Sequence, residues 1–488
     1  MWLNDSVAEV PRINSESGCP VRLTDLTSWV RGAGLSPELS SSIEIEQRQL
    51  VHQTPLGVAE GATTALAMVG AAIDDIWFAR TGRRQQIRID PRHAEIGMGS
   101  TWLLKVDGEL ANNRFPLTQS PIEGSHKCSD GRDIYFLCVF PSLVNGSAEV
   151  LGCELTPEAV AAAVRRRQSD ELENALTDRG LTGVIVRDYA TWLQHPQGQA
   201  LASQPVVHIE RIGDAAPISL PNGHRPLSGL RVLDATRVIA GPTCTRTLAE
   251  FGANVLQVGS QAIPDLISSQ ADTAHGKRRA FLDLDVAEDV HRLQELCGEA
   301  DVFVQSYRPG SFDRRGFGPE QLAKIRPGII YVSESAYSHL GPWRSKRGFD
   351  GNVQAASGIM ALRSEPLRFS DSDDAPIAMA INDYCTGYWG AYGVLAALRR
   401  RSEEGGSWHV RVSLGQTAMW FMRMGLIHNP DDAMSSRDAR MLAKEFAEEA
   451  ESDYGRLTRL RPALQMSETP PGWETRTVLP GVNTCSWD

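Results

Sequence analysis

The stretch INDYCTGYWGAYGVLAAL, residues 381–398, opens with Asn382 and Asp383 and continues in Gly, Ala and aromatic residues that predict a tightly packed helix. Two chemistries suit an Asp there. A short side-chain oxygen of Asn382 or Asp383 can cap the helix, accepting a hydrogen bond from a first-turn amide, and its charge suits the positive end of the macrodipole. The same place favours an ionised carboxylate, and an ionised carboxylate that faces a cleft is a nucleophile. Basic residues cluster elsewhere: Lys277, Arg278 and Arg279 in HGKRRA, Arg308, Arg314 and Arg315 in SYRPGSFDRRG, and Arg344, Lys346 and Arg347 in GPWRSKRGFDG. Each cluster alone reads as a solvated surface. At successive strand ends they suggest a ligand with several phosphates.

The elements that must position these residues alternate from Leu227 to about Ala336. RVLDATR, NVLQVG, RRAFLDLD, DVFVQSYR and GIIYVSESAY read as strands separated by helical runs such as AEDVHRLQELCGEA. Strands joined by crossover helices predict a doubly wound, Rossmann-like parallel sheet, with ligands outside the carboxyl ends of its strands. The first strand-to-helix turn, DATRVIAGPTCTRTL, lacks G-x-G-x-x-G, so a dinucleotide enzyme is disfavoured. Gly241 and Pro242 there open a helix whose free amides suit an anion.

Self-similarity adds a second module. GVAEGATTALAMVGAAIDDIWFARTGRRQQIRID (57–90) lies without a gap over AINDYCTGYWGAYGVLAALRRRSEEGGSWHVRVS (380–413), placing Glu60 on Asp383 and Gly82 on Gly405. The expected organisation is a truncated copy of the helix–strand module in 1–100 and a smaller mixed α/β domain in 101–216. A linker follows in 217–229, then the large domain in 230–420 and a C-terminal helical segment and tail in 421–488.

Composition narrows the class. A chain of 488 residues, 42% hydrophobic and 22% charged, has the make-up of a globular protein, and its net charge of −11 argues against generic nucleic-acid binding. No secretory signal opens the sequence, and the apolar runs near 61–73 and 387–398 read as shorter than a membrane span. Eight scattered cysteines (19, 128, 138, 153, 244, 297, 385, 485) without a CxxC pair predict reduced thiols, no metal site and a cytoplasmic location.

LSGLRVLDATRVIAGPTCTRTLAEFGANVLQV, HGKRRAFLDLD, ADVFVQSYRPGSFDRRGFG, PGIIYVSESAYSHLGPWRSKRGFDGNVQAASGIM and the Asp383 helix, in that order, resemble the large domain of the family III CoA-transferases over about residues 227–417. That group includes the formyl-CoA and carnitine CoA-transferases and the α-methylacyl-CoA racemases. The N-terminal half resembles the same family out of order, as in a fused form with a truncated first copy. The resemblance implies that Asp383 is the nucleophile, passing CoA between an acyl-CoA and a small carboxylic acid through anhydride and aspartyl-CoA intermediates. It further implies that Ile239 and Ala240 line the CoA, and that Leu282, Asp283, Leu284 and Asp285 touch its adenosine region. Ser306, Tyr307 and Arg308 would flank the nucleotide, while Arg314, Lys346 and Arg347 engage phosphates. CoA would be a substrate, with no tightly bound cofactor, and the assembly a homodimer.

Several positions depart from the family pattern. Gly259 and Ser260 stand where a Glu, often with an Arg, usually follows the second strand, and a closing Gly-rich loop is not evident. Phe349 occupies the position of the racemase His, and a proton shuttle across an α-carbon needs two acid/base groups, so transfer is favoured over racemisation. A non-catalytic acyl-CoA binder would also tolerate these losses.

Overall fold

The computed structural model describes residues 12–13, 30, 39, 42–46, 49–115, 120–263, 265–362, 376–427 and 433–487. Cys19 and most of the first forty residues lie outside them.

The N-terminal module is a helix, α1 (Val58–Thr81), a strand, β1 (Ile87–Ile89), and a short helix, α2 (Pro91–Gly97). Gly82 ends α1 in the left-handed conformation with φ of 71°, a backbone state that favours glycine. α1 is the one helix among the described residues long and apolar enough to cross a membrane, and it is longer than the sequence run suggested. It lies packed inside the protein, with 83% of its apolar window buried.

Residues 124–185 fold into a separate lobe. Three antiparallel strands (Gly124–Lys127, Asp133–Phe136, Gly183–Ile185) pack under helices Pro141–Leu151, Pro157–Arg165 and Ser169–Asp178. The three arginines 165–167 stand at the end of the second helix, as helix-end polarity favours.

The large domain is built on seven strands: β2 (His208–Gly213), β3 (Arg231–Ala235), β4 (Asn254–Gly259), β5 (Lys277–Phe281), β6 (Val302–Gln305), β7 (Ile330–Ser335) and β8 (Ser407–Ser413). Their order is β5-β4-β3-β6-β7-β8-β2, parallel except for β2. Without β2 this is the 3-2-1-4-5-6 order of a doubly wound fold, as expected. β2 was assigned to the smaller domain by sequence. Instead it pairs antiparallel with β8 and covers that edge, because its alternate residues find an unpaired ladder there.

One face of the sheet is covered by α3 (Ala240–Glu250), by α4 (Asp350–Ser357) near its carboxyl end, and by α5 (Ile381–Glu404) and α6 (Leu414–Met424). Helices Ala287–Glu299 and Pro319–Ile325 cover the other, with Trp487 in the same cluster. α3 and α5 approach at backbone distance: a Cβ on Gly387 would stand 2.7 Å from the Ala240 carbonyl oxygen, and Gly390 faces Cys244. Small residues along INDYCTGYWGAYG therefore serve close helix contact.

α1 and α5 are each 24 residues long and begin 323 positions apart, and each leads through a glycine to a strand and a further helix. Arg399 on α5 bonds Asp75 on α1 at 2.7 Å, and Ala380 donates its N–H to the Met98 carbonyl at 2.9 Å. β1 pairs with Ile43–Ile45 and with Leu464–Met466 rather than joining the large sheet.

The C-terminal region holds more strand than the helical segment expected. Helix Ser436–Glu445 is followed by a hairpin, Ala447–Ser452 and Gly455–Leu460, which pairs with Lys105–Val106. Beyond it the tail returns to the large sheet. Asn483 donates its N–H to the Arg279 carbonyl at 2.9 Å and accepts the Arg279 N–H at 2.8 Å, covering the outer edge of β5.

Candidate active site

Asp383 occupies the first turn of α5 and is 7% exposed. The cap of that helix is not the one expected. Ala380 is the N-cap residue and makes no side-chain bond. Neither Asn382 nor Asp383 caps the helix; Asp350, at the start of α4, does so from outside. Its Oδ2 accepts the N–H of Asn382 at 2.8 Å and that of Asp383 at 3.0 Å, while its Oδ1 accepts Asn382 Nδ2 at 3.1 Å. Asp350 thus takes the role that would otherwise fold Asp383 back on its own helix.

The Asp383 carboxyl is left over for other work. No donor among the described residues bonds its oxygens. The expectation of a readily ionised group is corrected: burial first, then Asp350, then Glu334, hold its pKa well above the ordinary carboxylate range. The helix end favours the anion, but desolvation and two neighbouring acids oppose it. Tyr384 fixes the turn, donating to Asp272 at 2.9 Å and accepting the Thr101 N–H at 3.0 Å.

The first βα turn stands beside this site. Ile239 and Ala240 are buried at the start of α3, which Gly387 touches one turn beyond Asp383. Val238 has φ of 70°, a strained state for a β-branched residue. Beneath the turn Asp234 accepts from Thr236 and Thr245 and pairs with Lys277 at 2.9 Å, and Lys277 also bonds the Pro242 carbonyl at 2.8 Å. Lys277 is therefore a strut of the turn.

The expected phosphate ligands divide. Lys346 is a correction: its ammonium is buried, 3.8 Å from Glu173 and 3.8 Å over the Trp343 ring, and burial lowers its pKa to about 8. It is turned into the interface with the lobe, where Glu173 also holds Arg187 at 2.5 Å. Arg279 is engaged by Gln257 and Tyr454, each at 2.8 Å, and Arg315 by Asp285 at 2.7 Å. Arg347, by contrast, is half-buried, and its pKa is lowered by burial and by two like charges, Arg308 and Arg237. These three guanidiniums form a cationic patch at the carboxyl ends of β3 and β6, next to Phe140 of the lobe, over whose ring Arg237 lies at 5.0 Å. Arg314 is exposed on the loop after β6, beside Gly310.

Ser306 Oγ accepts the Arg237 N–H at 3.3 Å, and Tyr307 packs on Phe312. Leu282 to Asp285 leave β5 as a turn held by Arg315, with Leu282 buried and Asp283 and Asp285 exposed. A cavity of about 270 Å³ opens at the ends of β3, β4 and β5, lined by Thr236, Arg237, Gln257, Ser260, Arg279 and Phe281 among others. Asp383 does not line it. Sequence reasoning missed Asp350, Arg237 and Glu334; an Asp in the motif GFDGNVQAAS and a Glu following the apolar run IIYVS were the available signals. Glu60, the counterpart of Asp383 in α1, is buried with one oxygen unbonded, and burial raises its pKa to about 7.

A doubly wound sheet with an unbonded carboxyl at a helix start and a cationic patch at its strand ends defines an α/β protein equipped for an anionic ligand. Residues 227–444 match the family model of CoA-transferase family III. It is 42% identical over 288 residues to an acetyl-coenzyme A transferase of Hypoxylon pulicicidum, covering 55% of this chain and 48% of that protein. It is 28% identical over 398 residues to an acyl-CoA transferase of Gibberella moniliformis, covering 74% and 70%. With a formyl-CoA:oxalate CoA-transferase of Escherichia coli it shares 30% identity over 213 residues, 41% of this chain and 50% of the other. The chain thus spans about half the length of the first and third of these relatives.

Proposed function

We propose that the protein is a CoA-transferase that moves CoA from an acyl-CoA to a carboxylic acid through Asp383. The observation that carries this reading is the Asp383 carboxyl, free of hydrogen bonds from the described residues because Asp350 holds the adjoining amides, at the carboxyl end of the sheet. In the proposed cycle the carboxylate attacks the thioester carbonyl, the C–S bond breaks, and CoA thiolate leaves an acyl-aspartyl anhydride. The thiolate attacks the aspartyl carbonyl, releasing the first carboxylate and leaving aspartyl-CoA thioester. An incoming carboxylate reverses both steps and departs as the new acyl-CoA. Arg237, Arg308 and Arg347 would meet the phosphates of CoA, and Ile239 and Ala240 would pass its thiol end towards Asp383.

The acyl donor, the acceptor carboxylate, a homodimeric assembly and a cytoplasmic location belong to the same proposal. The cysteines of the described residues are all free thiols, which suits a reducing compartment. A second reading, an acyl-CoA binder without turnover, is favoured by the carboxyl's bias towards its protonated form. Incubation with acetyl-, formyl- and succinyl-CoA separates them: a transferase exchanges each thioester with its labelled free carboxylate, whereas a binder retains CoA without exchange. Asp383→Ala should abolish exchange, by at least about a thousandfold.

A further inference from the structure

Glu334 is the fifth residue of β7 and shares the parity of Ile330 and Val332, which are buried on the face covered by α3 and α5. His409 and Arg411 on the adjoining strand are in register with Tyr331 and Ser333, so they lie on the opposite face. Glu334 thus emerges at the carboxyl end of the sheet beneath the first turns of two helices. Its charge reaches Asp383 on α5 and Cys244 on α3. Asp350 on α4 also acts on Asp383, and Asp234 and Lys277 also act on Cys244. Glu334 is partly exposed, and no hydrogen bond or ion pair engages its carboxyl among the described residues. An unpaired acid on an apolar strand face is costly, and an isosteric apolar residue would suit the packing better.

We propose that Glu334 is a substrate-contacting carboxyl of this site, holding an oxygen of the acyl group against Asp383. The inference rests on the transferase reading above. Packing around its carboxyl raises the Glu334 pKa to about 8, which favours the neutral acid, with an O–H to donate. A neutral acid beside Asp383 can hydrogen-bond the carbonyl oxygen on which negative charge grows during attack, as an anion there could not. No proton need leave Glu334; the bond shortens and then relaxes as the tetrahedral centre collapses. Such a contact would act on the acyl and carboxylate portions, not on the phosphates.

The test is exchange between acetyl-, formyl- or succinyl-CoA and the matching labelled carboxylate, across pH 6–9, for the wild type, Asp383→Ala, Glu334→Gln and Glu334→Leu. The expected result for Glu334→Leu is a kcat at least tenfold lower, with affinity for free CoA unchanged and thermal stability equal or higher. Glu334→Gln, which keeps an N–H donor, should stay within about threefold of wild type and lose the wild type's decline near pH 8. Exchange abolished by Asp383→Ala but untouched by Glu334→Leu would overturn the Glu334 assignment and leave the transferase reading intact. No exchange by the wild type with any of the three thioesters would overturn both.

Discussion

At the residue scale, a capping carboxylate borrowed from another helix leaves a second carboxylate unengaged. Asp350 binds the two N–H groups that begin α5, so removing it leaves both without their acceptor. Asp350→Ala should cost about 1–2 kcal/mol of stability by denaturant titration. Because Asp350 also raises the Asp383 pKa, Asp350→Asn should move the acid limb of the exchange rate to lower pH, measured as a pH–rate profile. The sign for folding follows from the same shift: the folded state holds the Asp383 proton more tightly than the unfolded chain does. Asp383 therefore lowers stability progressively as pH rises above 3.8, and Asp383→Asn should flatten that decline. Asp383 was legible because an acid stood at the start of a small-residue helix. Asp350 was not, since its partners lie 32 and 33 residues away and cross-helix capping leaves no local pattern. Lys346 was misread because basic residues at strand ends look alike in sequence, whether they face a ligand or, like Lys346, a buried Glu173.

At the element scale, the position of Asp383 depends on how closely α5 lies on α3. A methyl group at Gly387 would come within 2.6 Å of Thr243 Cβ and 2.7 Å of a backbone oxygen. Gly387→Ala should therefore destabilise by about 1–3 kcal/mol and reduce exchange together with it, while Gly82→Asn, in open space but at positive φ, should cost less, up to about 1 kcal/mol, and leave exchange unchanged. The tail is an element of the same domain: Trp487, 7% exposed, packs into the lower core and donates to the Leu296 carbonyl at 3.2 Å. Trp487→Ala should lower the denaturation midpoint, at a cost of about 3 kcal/mol. The parallel strands and their helices were readable from periodicity, and the matching helix–turn–strand order of α1 and α5 from self-similarity, though not the full length of the helices. β2 and the C-terminal hairpin were not, because strands at an edge are decided by which unpaired ladder is nearby.

At the scale of the whole molecule, the family segment does not stand apart from the rest. α1 packs beside α5, Met98 bonds the start of α5, Ser100 and Tyr384 both donate to Asp272, and the tail closes the sheet edge. A chain reduced to residues 227–444 would expose the apolar face that α1 covers and lose the strap over β5. It should show dye-binding and a broad unfolding transition, where the full chain unfolds sharply. Of the two similar helix–strand segments, the one with Asp383 packs on the parallel sheet whose carboxyl ends carry Arg237, Arg308 and Arg347. Glu60 lies in a module whose strand joins a small mixed sheet. The same helix start therefore carries an acid twice, and the surrounding strands give only one of them a cationic patch.

The most direct measurement is peptide mass spectrometry of the full chain quenched during incubation with acetyl-, formyl- or succinyl-CoA. The account predicts an added mass on the peptide containing Asp383, absent from Asp383→Ala and absent from the Glu60 peptide. Exchange that proceeds with no modification at Asp383, or a modification found on Glu60 instead, would contradict it.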